Sequence, residues 1–260
     1  MVKWCVRVAR ETQTMRDTRI DRRGFLGAVA LTAVGGPLAF AQNAAERKVD
    51  PVNLPLDKPE VWTLHFRYKV PRIANLDMLD STGKRTKKTI WYMWYQVYNM
   101  SGEPQTFLPE FELVTKDLNT SHLDQPEPYL LEQLRKLEDP TGILGFQSSI
   151  TISKRPIPPS KPDAIPRVVS GVAIWTDIFE KAPKTNKFSV YILGLSNGLA
   201  VEETPTGEKL IKRKTLQINF LRPTDDEKPQ IADIVPDDLN GPAERWIYRT
   251  VSSVKPKAMP

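Results

Sequence analysis

The stretch Thr89-Ile90-Trp91-Tyr92-Met93-Trp94-Tyr95-Gln96-Val97-Tyr98-Asn99 constrains the fold of this chain more than any other. It is dense in aromatic and strand-favouring residues, holds no Gly or Pro, and runs into the turn-forming Asn99-Met100-Ser101-Gly102-Glu103-Pro104. In an extended chain Trp91, Met93, Tyr95 and Val97 share one side, and Ile90, Tyr92, Trp94 and Tyr98 the other. Bulk on both sides marks a central strand. Each buried aromatic hides roughly 150–250 Å², so Trp91, Trp94, Tyr95 and Tyr98 contribute on the order of 15–25 kcal/mol gross, as an upper bound. A chain organised around such a ribbon is expected to be mainly β.

The flanking segments agree with that expectation. In Val61–Lys69, Trp62, Leu64, Phe66 and Tyr68 alternate with Thr63, His65, Arg67 and Lys69, the period of a half-buried strand. Ile73–Leu79 continues it up to the Lys-rich hairpin tip Lys84–Lys88. Thr106–Thr115 is a further strand, confined by Pro109 to an edge, a bulge or a bend. Asp117–Pro128 is expected as loop, and Pro128–Asp139 as the one helix, with Leu130, Leu131, Leu134 and Leu137 on its apolar stripe. Ser149–Ser153 is expected as a short strand, Arg155–Pro166 with its five prolines as an extended crossover, and Val168–Asp177 as a second central strand. Lys187–Leu195 and Leu210–Leu221 follow, with Trp246-Ile247-Tyr248 returning to dock. The expected architecture is an antiparallel β-sandwich of immunoglobulin or fibronectin type, with seven or eight strands and one inserted helix.

The amino-terminal region is of another kind. Arg16, Arg19, Arg22 and Arg23 precede an uncharged run from Gly24 to Ala41 that closes on Ala39-Phe40-Ala41. A basic region, an apolar run and a small-x-small site are the parts of an export signal. Asp21-Arg22-Arg23-Gly24-Phe25-Leu26-Gly27 resembles a twin-arginine signal, although Asp21 and Gly27 depart from its usual residues. The expected organisation is an export signal over 1–41, a linker over 42–60, one domain over 61–250 and a flexible tail over 251–260. General secretion is the other route, and an uncleaved anchor the other fate of the leader.

Removing that leader changes the charge balance. Of the 37 Lys and Arg and the 31 Asp and Glu, seven and three lie in residues 1–41, which leaves 30 against 28 and a net charge of +2 rather than +6. The basic character belongs to the leader, and a nucleic-acid partner loses its electrostatic support. The single cysteine, Cys5, also lies in the leader, so residues 42–260 hold no disulfide and no thiolate nucleophile.

Three constellations could carry chemistry. Gly194-Leu195-Ser196-Asn197-Gly198 matches the nucleophile-elbow pattern, but both histidines, His65 and His122, precede Ser196, against the order that pattern needs. Ser81-Thr82-Gly83-Lys84 matches Ser-x-x-Lys but sits in a hairpin loop. The third lies in the loop from Asp117 to Glu127, where Asp117, Asn119, His122 and Asp124 are the candidate metal ligands: the side-chain oxygens of this loop suit Ca²⁺, and His122 with Asp124 would instead suit Zn²⁺. The same side chains could equally bond the loop's own backbone and cap the following helix. If one side of the aromatic strand were bare, Trp91, Trp94 and Tyr98 would form an apolar face for sugar rings or a partner protein.

The aromatic strand, the Asn-x-Ser-Gly-Glu-Pro turn at 99–104, the Phe-rich strand after it and the late Trp246-Ile247-Tyr248-Arg249 together resemble a group of uncharacterised exported bacterial proteins with an Ig-like β-sandwich domain. The resemblance covers most of residues 60–250 and implies no activity, cofactor or site. The expected function is a non-enzymatic extracytoplasmic protein for binding or structural association, periplasmic, at the cell surface or secreted. Its partner would be a cell-envelope protein or a polysaccharide, with membrane contact through the leader alone. A secreted carbohydrate-binding module and a cofactor- or metal-dependent enzyme are the alternatives.

Overall fold

The computed structural model describes residues 46–80, 82–203, 209–223 and 234–250. The leader, Ser81 and the expected 251–260 tail lie outside them. The described chain is mainly β, with two antiparallel sheets that face one another across a shared core.

In the first sheet, β4 (Arg85–Tyr98) is the central strand. The strands β2 (His65–Tyr68) and β3 (Arg72–Leu79) lie end to end along one of its sides, pairing with Tyr95–Tyr98 and Arg85–Tyr92. On the other side β7 (Val168–Trp175) pairs with Trp91–Tyr98, and β1 (Arg47–Val49) pairs with β2 beyond. The second sheet is built on β10 (Lys209–Leu221). The strands β8 (Lys187–Leu193) and β9 (Leu199–Glu203) follow one another along one side of β10, and β12 (Glu244–Thr250) and β11 (Val235–Pro236) line the other. Outside β8 come β5 (Glu110–Thr115) and then β6 (Ser121–Leu123).

The double-faced character of β4 has two separate causes. Trp91, Met93, Tyr95 and Val97 enter the core between the sheets, against Phe111, Phe188, Val190, Ile218 and Phe220. Ile90, Tyr92 and Trp94 form a second core with Val172 and Ile174, roofed by Leu130, Leu131 and Leu134 of helix α1 (Pro128–Glu138). Gly171, opposite Tyr95 in the register, is required by close approach: a Cβ there would lie 2.4 Å from the Tyr95 ring.

Several expectations change. Residues 47–49, read as linker, form β1, and Lys214 binds this segment through the Val52 carbonyl (2.8 Å) and the Asp57 carboxylate (2.5 Å). The loop 117–128 contains β6. Ser149–Ile152 is not a strand but the short helix α2, because Ser148 and Thr151 close a reciprocal capping box. A third helix, α3 (Ile178–Lys181), follows β7. The strand β7 borders its sheet rather than sitting inside it. Leu137, placed on the buried stripe of α1, is exposed. Pro109 immediately precedes β5, which has a neighbour on each side, so it avoids the ladder without confining that strand to an edge. Twelve strands and three helices are present among the described residues, against seven or eight strands and one helix expected. No helix among them is long and apolar enough to cross a membrane.

Candidate functional site

Of the residues singled out as metal ligands, Asp117, His122 and Asp124 are occupied by protein partners. Asp117 accepts from the Thr185 hydroxyl (2.6 Å) and from the Asn186 N–H, tying the turn before β8. Burial would raise its pKa, but these donors outweigh it and hold the carboxyl below its usual value. Asn119 takes the left-handed backbone conformation, with φ 54°. His122 is buried, with Nε2 2.8 Å from Thr120 Oγ1 and Nδ1 2.9 Å from Asp177 Oδ1. Asp124 accepts from the Ile174 N–H (2.7 Å) and from the Ser149 hydroxyl. The four are not brought together, and among the described residues no group of three His, Cys, Asp or Glu is placed to hold a metal ion.

The aromatic face is not exposed. Trp91 lies between the sheets in edge contact with Phe188 (centroids 5.3 Å), and Trp94 lies beneath α1 against Phe146. Tyr98 stacks on His65 at 4.7 Å. All three are buried: the layers over the two sides of β4 cover Trp91 and Trp94, and His65 and Arg67 lie against the Tyr98 ring. Ser196 donates to the Trp62 carbonyl (2.6 Å) and accepts from the Gly198 N–H (3.2 Å), the bonding of a turn. Thr120, His122 and Asp177 do follow the hydroxyl–imidazole–carboxylate order of an activated nucleophile. However, the Thr120 hydroxyl also meets Thr115 Oγ1 at 2.8 Å, and Asp177 is paired with Lys181 at 2.7 Å. The chain of bonds ties β5 and β6 to the end of β7, and Thr120 is not part of the cleft lining described next.

The strongest candidate site is an open cleft of about 490 Å³ where the start of β5, the end of β6 and α2 meet. Gly194, with φ +86°, makes the approach possible: a Cβ there would lie 2.1 Å from the Leu108 carbonyl oxygen. The capping box of α2 sets Ser149 and Ile150 on the opposite rim. Leu108, Leu123 and Ile150, which are 61%, 54% and 57% exposed, surround the opening. Asp124 lies within it, beside Ser149, and Arg213 reaches the lining from β10.

The electrostatics of this cleft are unbalanced. Burial pushes the Asp124 carboxyl up to about 6, opposed by the Ser149 hydroxyl and the N–H groups of Ile174 and Gln125. Those partners are neutral. Among the described residues no cation forms an ion pair with Asp124. A second cleft, about 470 Å³, is lined by Glu60, Trp62, His65, Met100, Glu103 and Gln105 among others.

Sequence reasoning selected Asp124, but as a metal ligand, and missed Leu108, Ser149, Ile150 and Arg213. No local signal marks these four, because they join only when β5, α2 and β10 are folded against one another. The chain matches no protein-family model, no curated protein and no solved structure.

Proposed function

We propose that this chain is a non-enzymatic binding protein of the cell envelope, an immunoglobulin- or fibronectin-like sandwich that grips an apolar segment of a partner protein in the cleft beside β6. The export reading follows from the leader, Arg22-Arg23 and Ala39-Phe40-Ala41, and from the resemblance to exported bacterial proteins. One observation carries the binding reading: three exposed aliphatic side chains line the same cleft as a carboxylate that has no counter-ion among the described residues. Holding Asp124 ionised in that setting costs up to about 3 kcal/mol. A charge whose removal would favour the fold is the mark of a site kept for binding rather than for stability.

The test is titration of the full chain with a panel of labelled apolar peptides, followed by fluorescence anisotropy. Binding should weaken at least tenfold in Leu123→Asp and Ile150→Asp, whose melting temperatures report whether the fold is intact. Equal binding by folded rim variants, or no binding by any peptide, would sink the reading. A polysaccharide ligand is the second reading, favoured by Trp62 beside Glu103 and Gln105 in the other cleft. It requires glycan-array binding that disappears in Trp62→Ala. Export is checked separately, by mass spectrometry of the protein from its host for an amino terminus at Gln42.

A further inference from the structure

The pairing of β6 determines which way its backbone points. Asp124 N–H donates to the Phe111 carbonyl at 2.9 Å, and Thr115 N–H donates to the Thr120 carbonyl at 2.9 Å. In an antiparallel ladder hydrogen-bonded and non-hydrogen-bonded pairs alternate. Pairs 111/124, 113/122 and 115/120 are therefore the bonded ones, and the N–H and C=O groups of Ser121 and Leu123 point away from β5. None of the described backbone bonds outside the ladder uses those four groups. Both residues are exposed.

Two other sheet edges are closed by specific devices. On β3, the Gln133 side chain of α1 accepts the Asp77 N–H (3.0 Å) and donates to the Asp77 carbonyl (2.7 Å). On β7, Gln147 N–H donates to the Ser170 carbonyl (3.0 Å) and Val172 N–H to the Gln147 carbonyl (3.0 Å). Further along, Ile174 is held by Asp124 and by the Gln125 N–H. Closing edges in this way suppresses unwanted strand pairing. Among the described residues the edge of β6 has no such cover, and it borders the cleft through Leu123 and Asp124.

We infer that the open edge of β6 accepts an extended polypeptide as an added strand, with apolar residues against Leu108, Leu123 and Ile150 and a lysine or arginine on Asp124. The inference rests on the cleft reading above and supplies its mode and chemistry. Main-chain bonds to Ser121 and Leu123 give register, up to four of them, and alternate side chains enter the cleft. Charge complementarity selects the basic residue, because among the described residues Asp124 accepts only from neutral donors. Arg213, on the cleft lining, and Glu110 beside it set the local field in which that cation must compete.

The test uses decapeptides of alternating valine and threonine with a central lysine. Companion peptides carry norleucine or glutamate in its place, or N-methyl groups on every second backbone nitrogen in either register. Affinity for the full chain is read by anisotropy, and amide hydrogen exchange is read at Ser121 and Leu123. The lysine peptide should bind at least tenfold more tightly than the norleucine one, and this advantage should vanish in Asp124→Asn. N-methylation in one register alone should cost at least tenfold, and exchange at Ser121 and Leu123 should slow on binding. Peptides that bind and are blocked by Ile150→Asp, yet ignore N-methylation and the central charge, overturn strand addition while the cleft reading survives. Failure of every peptide to bind removes the cleft reading and this inference together.

Discussion

Two partly buried carboxylates, at opposite ends of α1's layer and β6's corner, are treated in opposite ways. Glu138, in the last turn of α1, receives the Arg72 guanidinium at 2.5 Å and the Tyr92 hydroxyl at 2.7 Å. It thereby ties helix, β3 and β4 into one block over the second core. Asp124, at the end of β6, receives a hydroxyl and backbone N–H groups and, among the described residues, no cation. A buried carboxylate with its counter-ion belongs to the scaffold; one without a counter-ion among the described residues, opening on a cleft, is where we propose that an incoming charge binds. The same contrast holds for the two edges, since α1 closes β3 while β6 stays open.

That comparison can be broken most directly under α1. Leu134→Ala opens a cavity in the second core and should cost about 3 kcal/mol, measured by urea denaturation. A loss below about 1 kcal/mol would mean that the helix is not integral to the fold. Glu138→Ala removes the acceptor shared by Arg72 and Tyr92 and should cost about 2–3 kcal/mol.

Asp124→Asn should behave in the opposite sense. The amide oxygen can still accept the Ile174 N–H and the amide nitrogen can donate to Ser149, so the variant should gain about 1–2 kcal/mol at pH 8. A loss of that size would show Asp124 to be scaffold after all. The pH dependence sharpens this. A carboxyl raised to about 6 in the fold, from 3.8, binds its proton more tightly when folded, so its contribution improves as pH falls through 6 and levels off below 3.8. Wild type should therefore close the gap on Asp124→Asn between pH 7 and 4, in paired melts of two proteins that share Glu110, Arg213, Tyr95 and His122. A difference flat across that range would count against a perturbed Asp124. The smallest effect is expected from Gln133→Ala, which uncovers the β3 edge and should cost about 1 kcal/mol.

Particular residues explain how much was legible. Alternation in His65–Tyr68 and bulk on both sides of β4 reported strands correctly, because side-chain period and burial are local facts. Leu130, Leu131 and Leu134 marked the buried side of α1. In Ser149–Ile152 the spacing of Ile150 and Ile152 imitated a strand, whereas the bond from the Thr151 N–H to the Ser148 side chain (3.2 Å) started a helical turn. The strand β6 was hidden for a different reason: three residues carry too little pattern, and only pairing with β5 makes them a strand. Asp124 was visible as a carboxylate, but Ser149 and Ile174, which define its environment, lie 25 and 50 residues further along the chain.

By itself the amino-acid sequence determined a mainly β chain, its central strand and its one long helix. These depend on composition and on periods of two or 3.6 residues, which survive in a linear text. Tertiary structure alone decided which layers cover the two sides of the aromatic strand, that Asp117, His122 and Asp124 serve separate partners, and that, among the described residues, a carboxylate without a counter-ion opens beside an uncovered strand edge. Burial and charge compensation are properties of neighbours brought together across the fold, and no stretch of sequence contains its own neighbours.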